Sequence, residues 1–278
     1  NISGLLAAVL RIIHGIEIWA QQCGQPEVPA FRIVHGEDSS PGRWPWMAAI
    51  YIQEEKNSTT FTFCGGSLIG PRHILTAAHC TKQRRSNCSD CQFYLKLGDF
   101  DLKRDDEPSS VQTFNVVEVR EHPLYKYSSE GSYHDLAIIV LDRTPQRSRY
   151  VMPLCLPPPS VRSETFAGQN ATMVGWGSTA YSGINLIFMI ENNPRWLQIS
   201  FSKQSTASNA NFCVGEYERG GKNAYQGDSG GPLMLKHDGR WIQIGIDSFG
   251  PINERPYSPS VYTRVTEYMD WIQENIKE

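Results

Sequence analysis

Three short stretches hold residue types that together do nucleophilic chemistry: LTAAHC at 75–80, DLAII at 135–139 and GDSGGP at 227–232. A serine hydroxyl is a poor nucleophile until a base takes its proton, and an imidazole serves best when a buried carboxylate orients it and stabilises the imidazolium. Ser229, His79 and Asp135 supply the three roles. Alone, each has an ordinary explanation: a histidine beside a cystine, an aspartate opening a buried strand, a serine in a glycine turn. The joint occurrence in the order His, Asp, Ser, each inside a full motif, makes coincidence a poor explanation.

The elements that must hold these residues read as β-structure. Short apolar runs at 47–52, 61–69, 93–97, 114–119, 136–141, 241–246 and 260–265 are rich in Val, Ile, Tyr and Phe and are separated by turn residues, which predicts a sandwich or barrel. Helix is expected only at the C-terminus, where Val265, Met269, Ile272 and Ile276 recur at helical spacing and give an apolar stripe that docks. Pro26, Pro29 and the polar residues around them make 21–31 a linker ahead of the β-rich body.

With these motifs in place, the chain resembles a chymotrypsin-fold serine protease from about Cys23 to Glu278. RIVHGEDSSPGRWPWMAAI and LGDFDL are most similar in style to invertebrate haemolymph clotting-type proteases. The resemblance implies an all-β fold of two six-stranded antiparallel barrels with a C-terminal α-helix. It divides the chain into a light-chain and activation segment, 1–32, and a peptidase domain, 33–278. The triad would lie in the cleft between barrels, with the N–H groups of Gly227 and Ser229 forming an oxyanion hole.

The same resemblance makes Arg32-Ile33-Val34 an activation site. A cut after Arg32 would free the ammonium of Ile33 to pair with Asp228, a switch from zymogen to enzyme. Cys64–Cys80 is implied as the bridge beside His79, and Cys23–Cys155 as the bridge that keeps the light chain attached. Ser248, Phe249 and Gly250 correspond to the strand that binds substrate backbone, Phe249 standing where Trp is more common.

Several positions depart from the family pattern. Trypsin-like members carry a carboxylate six residues before the nucleophile, on the floor of the primary pocket; here that position is Asn223. An amide leaves a buried substrate Arg or Lys without a counter-ion, so cationic preference is expected to fall. Ser260 replaces a pocket-wall glycine, and Tyr225 and Asn253 replace both ends of a usual bridge, as do Ala171 and Leu235 for another. Residues 183–210 leave Cys213 without its usual partner, and Cys88 with Cys91 suit a small local loop.

The chain has 278 residues with a net charge of -3 from 26 Lys+Arg and 29 Asp+Glu, so there is no basic excess to neutralise phosphates and nucleic acid is not an expected partner. Seven Cys and sequons at Asn1, Asn57, Asn87 and Asn170 favour an oxidising, secretory setting. The apolar run at 5–10 is broken by Arg11, His14 and Glu17 before it could span a bilayer, so no membrane partner is expected. No metal site is expected either; the cysteine spacing does not suit zinc. The acidic stretch 99–107 reads as a solvated charge run, with structural calcium as the alternative. Expected partners are a protein substrate, an upstream activating protease and protease inhibitors. The alternative function is a non-catalytic homologue that binds through the same surface.

Overall fold

A computed structural model describes residues 22–28, 37–53, 61–81, 93–102, 104, 111–128, 131–166, 169, 171–177, 190–192, 210–214, 227–250 and 260–277. The first half contains strands β1 (Glu37–Asp38), β2 (Met47–Gln53), β3 (Phe61–Leu68), β4 (His73–Thr76), β5 (Phe93–Leu97), β6 (Gln112–Glu121), β7 (Lys126–Ser128), β8 (Gly131–Tyr133) and β9 (Ala137–Leu141). The second contains β10 (Thr172–Gly175), β11 (Ile190–Asn192), β12 (Asn211–Val214), β13 (Pro232–His237), β14 (Arg240–Phe249) and β15 (Ser260–Arg264). A 3₁₀ turn, Val265–Tyr268, leads into helix α1, Met269–Asn275.

Strands β2-β3-β4-β9-β6-β5 close into one antiparallel barrel, which leaves no free edge within it. Its central strand β9, AIIVL, is buried throughout, because it is covered on both faces. β6 alternates instead: Phe114 is buried while Val117 faces solvent. The second half forms a sheet in the order β1-β11-β10-β13-β14-β15-β12. Each expected apolar run falls on a strand. The strands the run pattern did not mark, β1, β4, β10, β11, β12, β13 and the β7–β8 hairpin, are six residues or shorter, and period-2 patterning has little room to register there.

The two halves share a core. Ile50, Leu75 and Ile138 of the barrel cluster with Met234 and Ile246 of the second sheet and with Val265, Met269 and Ile272 of the C-terminal segment. Each such side chain contributes about 1.5–3 kcal/mol by leaving water. The expected helical stripe is therefore the docking face, although its first turn is 3₁₀ and Ile276 is only partly buried. Polar atoms cross the boundary too: Trp46 Nε1 donates to Met234 Sδ at 3.0 Å and Ser67 Oγ to Gln243 Oε1 at 2.5 Å. A second cluster includes Ala171 and Leu235, so apolar side chains fill the space where a bridge was expected to be missing.

Both implied disulfides form, Cys64–Cys80 and Cys23–Cys155. The second anchors the segment at 22–28 to the back of the second half. There Gly24 donates to Pro153 O at 2.9 Å and accepts from Trp241 N at 2.8 Å. A Cβ on Gly24 would sit 2.3 Å from Trp241 O, so only glycine allows this approach. Cys88, Cys91 and most of 183–209 lie outside the described residues; within that last stretch, β11 pairs with both β1 and β10.

Two glycines with nearly the same backbone separate conformational strain from steric exclusion. Gly230 has φ +80 and its Cβ would meet Thr76 Oγ1 at 2.2 Å and Gly65 O at 2.6 Å, whereas Gly239 has φ +79 with nothing within 4 Å. Gly239→Ala should cost only the left-handed penalty, about 1–2 kcal/mol, while Gly230→Ala should destabilise by clearly more. Urea unfolding of the two variants side by side measures the difference.

Candidate active site

His79 sits in a 3₁₀ turn, Ala78–Cys80, that follows β4 directly. Asp135 enters from the other side of the barrel, one residue before Leu136 and β9. His134 takes a left-handed φ of 51° just ahead of it, turning the chain. That turn is held by Leu136 N–H donating to His134 O at 3.0 Å and by a 3.0 Å hydrogen bond between Tyr268 Oη and His134 Nδ1.

The carboxylate of Asp135 is fully buried. Its Oδ1 accepts from the His79 backbone N–H at 2.8 Å, and its Oδ2 lies 2.7 Å from His79 Nδ1. A carboxylate acceptor makes Nδ1 the protonated nitrogen and leaves the Nε2 lone pair outward. Ser248 Oγ donates to the same Oδ2 at 2.6 Å, and Thr263 Oγ1 donates to the Asp135 carbonyl at 2.9 Å. Ser248 was expected only as part of a substrate-backbone strand. Its side chain proves to be turned to Asp135, a contact that no sequence spacing announces because β14 and the loop before β9 are far apart in the chain.

The turn 227–231 is threaded between the halves. Gly65 N–H donates to Ser229 O at 2.8 Å, Gly230 N–H to Asp247 O at 2.9 Å, and Gly231 N–H to Asp228 O at 2.9 Å. Among the described residues the N–H groups of Gly227 and Ser229 have no acceptor. Gly227 adopts φ +102 and its Cβ would lie 3.0 Å from Gly177 Cα, a position no other residue takes without strain.

Cys80 Sγ lies 3.6 Å from His79 Nε2 and 3.6 Å from Ser229 O. One sulfur atom therefore lies against both the His79 ring and the main chain of the nucleophile turn. Ligand-type atoms of Cys64, His79 and Cys80 fall within 4.8 Å of one another, but both sulfurs are bonded to each other and offer no thiolate to a metal.

Asp228 points away from this cleft. Its Oδ1 accepts from Gly177 N at 2.9 Å, and a Cβ on Gly175 would come within 2.1 Å of that oxygen. Arg32 and Ile33, the expected activation pair, lie outside the described residues, as do Asn223, Tyr225 and Asn253. Phe249 packs its ring over Gly131, where a Cβ would meet it at 2.6 Å; Gly250 is exposed and Ser260 buried. The acidic stretch differs from a solvated run at its start: Asp99 and Asp101 are buried, and Lys96 Nζ is 3.2 Å from Asp99 Oδ2. Most of the remainder of that stretch lies outside the described residues.

One charged residue had no place in the sequence reading. Asp247 interrupts the apolar strand β14 and is buried. Burial pushes its carboxyl well above the usual range, and the negative charges of Asp228 and Asp135 push it further. Tyr262, its partner across the ladder, is raised for related reasons: burial first, then Asp247 and Asp228. The signal available was a lone carboxylate inside IQIGIDSF.

The family model for trypsin matches residues 33–272. The proclotting enzyme of Tachypleus tridentatus is 34% identical over 264 residues, covering 91% of this chain and 68% of the relative. A venom protease of Bombus pensylvanicus is 36% identical over 244 residues, 86% of this chain and 96% of its own length. Phenoloxidase-activating factor 3 of Holotrichia diomphalia is 32% identical over 275 residues, 92% of this chain and 75% of the relative. The chain belongs to the trypsin family of serine proteases, endopeptidases built on two β-barrels. Its similarity is to clotting-type and phenoloxidase-activating relatives, as the motif style implied. Among the described residues no helix is long and apolar enough to cross a membrane.

Asp247 sets the sign of a pH effect. Its proton is held more tightly folded than unfolded, so folding stability should fall as pH rises from the ordinary carboxyl value of 3.8 toward the raised one. Below that window nothing is lost. Asp247→Asn should therefore melt higher than the parent at pH 7–8, by about 2–4 °C per ~1 kcal/mol relieved, and the advantage should vanish near pH 4. Thermal melts across that range check it.

Proposed function

We propose that the protein is a secreted serine endopeptidase, made as a zymogen cut after Arg32, in which His79 is the general base, Asp135 its orienting carboxylate and Ser229 the nucleophile. The observation that carries this reading is the hydrogen-bond array at Asp135. Two bonds from His79 and one from Ser248 fix the imidazole with Nδ1 on the carboxylate, and Cys80 Sγ lies 3.6 Å from both His79 Nε2 and the Ser229 carbonyl oxygen.

In this mechanism His79 Nε2 removes the Ser229 proton as Oγ attacks the peptide carbonyl, and returns it to the leaving amine as the acyl-enzyme forms. Water then repeats the cycle and releases the acid. The N–H groups of Gly227 and Ser229 receive the oxyanion, and a donor of this kind lowers the barrier by about 3–4 kcal/mol. The disulfide Cys64–Cys80 and the Gly65–Ser229 hydrogen bond keep the nucleophile turn registered on the barrel that carries His79.

Residues 1–32 would be the light-chain and activation segment, tethered by Cys23–Cys155, and 33–278 the peptidase domain. Cutting would place the ammonium of Ile33 at Asp228, which sits in a slot lined by Gly175 and Gly177. The relatives named for clotting and phenoloxidase activation support a place in an arthropod-type haemolymph cascade, with a protein substrate, an upstream activating protease and protein inhibitors.

Two measurements test the assignment. A fluorophosphonate probe should label the protein after cleavage at Arg32, label intact protein far less, and fail on Ser229→Ala. Equal labelling of the cut and uncut forms would remove the zymogen. No labelling of folded, cleaved protein would instead favour a binding homologue. Separately, Ser248→Ala removes a hydrogen bond to a buried carboxylate, of about 1.5–3 kcal/mol. It should lower kcat/KM roughly 10- to 100-fold, with Ser248→Thr restoring most of it, as a positioning role requires.

A further inference from the structure

Two buried polar atoms on neighbouring strands have no hydrogen-bond partner among the described residues: Asp247 Oδ1 on β14 and Ser260 Oγ on β15. Asp247 is only 4% exposed and Ser260 1%. A buried carboxylate without a partner is costly, and native structures hold few of them, so this one asks for an explanation.

The register shows where it faces. Successive side chains of a strand leave on opposite faces. β14 is irregular between Asp247 and Phe249, so the face is read from the ladder: Asp247 pairs directly with Tyr262, and residues directly opposite in an antiparallel pair share a face. Ser260 lies two residues before Tyr262 and shares that face. The Asp247 backbone is bonded on both sides to the nucleophile turn: its N–H donates to Gly231 O at 2.9 Å and its C=O accepts from Gly230 N at 2.9 Å. Asp247 is thus bonded through its main chain to the two residues that follow Ser229.

The groups that act on it are a second argument. Asp228 from the nucleophile turn, Asp135 from the loop before β9 and Tyr262 from β15 surround it, and each is neutral or negative. Asp228 is already bonded to Gly177 N–H. Nothing among the described residues supplies Asp247 with a cation. A ligand that brought one would meet a carboxyl already held out of water and would favour its ionised form.

We propose that Asp247 is a charge-selecting residue of the substrate site: it takes the guanidinium or ammonium of the residue on the acyl side of the bond that is cut, in place of the carboxylate that position 223 lacks. Ser260 Oγ adds a neutral acceptor beside it. This rests on Ser229 being the nucleophile. It reverses the expectation drawn from Asn223 alone, that cationic preference falls. The cation also restores the ionised form of Asp247, so selection for Arg and Lys strengthens as pH rises.

The test uses the full chain cleaved after Arg32 and matched peptides with Arg, Lys or Leu at the acyl-side position. The parent should prefer Arg or Lys, and Asp247→Asn should cut the Arg-to-Leu ratio of kcat/KM by about 100-fold, the size expected when one member of a buried charge pair is removed. A parent that prefers Leu overturns the proposal, as does a ratio unchanged in the variant. So does a variant whose only defect is weaker response to Arg32 cleavage, which would make Asp247 a partner of the Ile33 ammonium instead. Should Asp247→Asn not fold, the parent's pH profile decides: the Arg-to-Leu ratio must climb with pH, and a flat ratio rejects the idea. Benzamidine binding to cleaved Ser229→Ala protein, read by melting shift, separates this inference from the mechanism. Stabilisation that disappears in the Ser229→Ala, Asp247→Asn double variant sustains the cation site even if no probe ever labels Ser229. Unchanged stabilisation in the double variant, or none in Ser229→Ala, counts against it.

Discussion

The buried carboxylate of Asp135 is the constraint around which the two halves are arranged. Taken from water without compensation, a carboxylate would be several kcal/mol too costly to keep. Its compensation comes from both sides of the cleft, His79 from the first barrel and Ser248 from the second sheet, while Thr263 of the second sheet holds the Asp135 main-chain carbonyl. The barrel that carries Asp135 cannot satisfy it alone. The requirement for donors therefore fixes how β14 and β15 meet the loop before β9, and with them the turn that holds Ser229.

That arrangement concentrates negative charge. Asp135, Asp228 and Asp247 are all buried within one electrostatic neighbourhood, yet their surroundings differ. Asp135 has hydrogen-bond donors on both oxygens, Asp228 has the Gly177 amide, and Asp247 Oδ1 has no donor among the described residues. The same side-chain type thereby acquires three characters, which burial percentages alone would not separate. Hydrogen bonding, rather than depth, decides which of them is at rest.

Much of this was legible beforehand. The runs at 93–97 and 241–246 are mostly apolar and each opens on an aromatic residue, and they lie on β5 and β14. The motifs singled out His79 and Asp135, which the fold brings into hydrogen-bond contact, and Ser229, whose carbonyl accepts from Gly65 N–H. The contacts between motifs were not legible. Ser248 to Asp135 spans 113 positions and Ser67 to Gln243 spans 176, and such pairs exist only once the sheets have packed. Asp247 was passed over for a related reason: within IQIGIDSF it reads as one polar position in a strand, and only the ladder shows that its face is closed. Asp99 and Asp101 were misjudged in the same direction, as local composition suggested solvent where tertiary packing supplies cover.

The anchoring of Gly24 has an implication for identity over time. That residue is held by main-chain bonds to Pro153 and Trp241, and its neighbour Cys23 is covalently joined to Cys155. A backbone scission between this anchor and β1 would create a new terminus without dispersing the pieces. The molecule would change its connectivity but keep its mass, its partners and its address. Whatever precedes residue 22 would stay joined to the body through that disulfide, so a tether that looks like static bracing also decides what a cut can release.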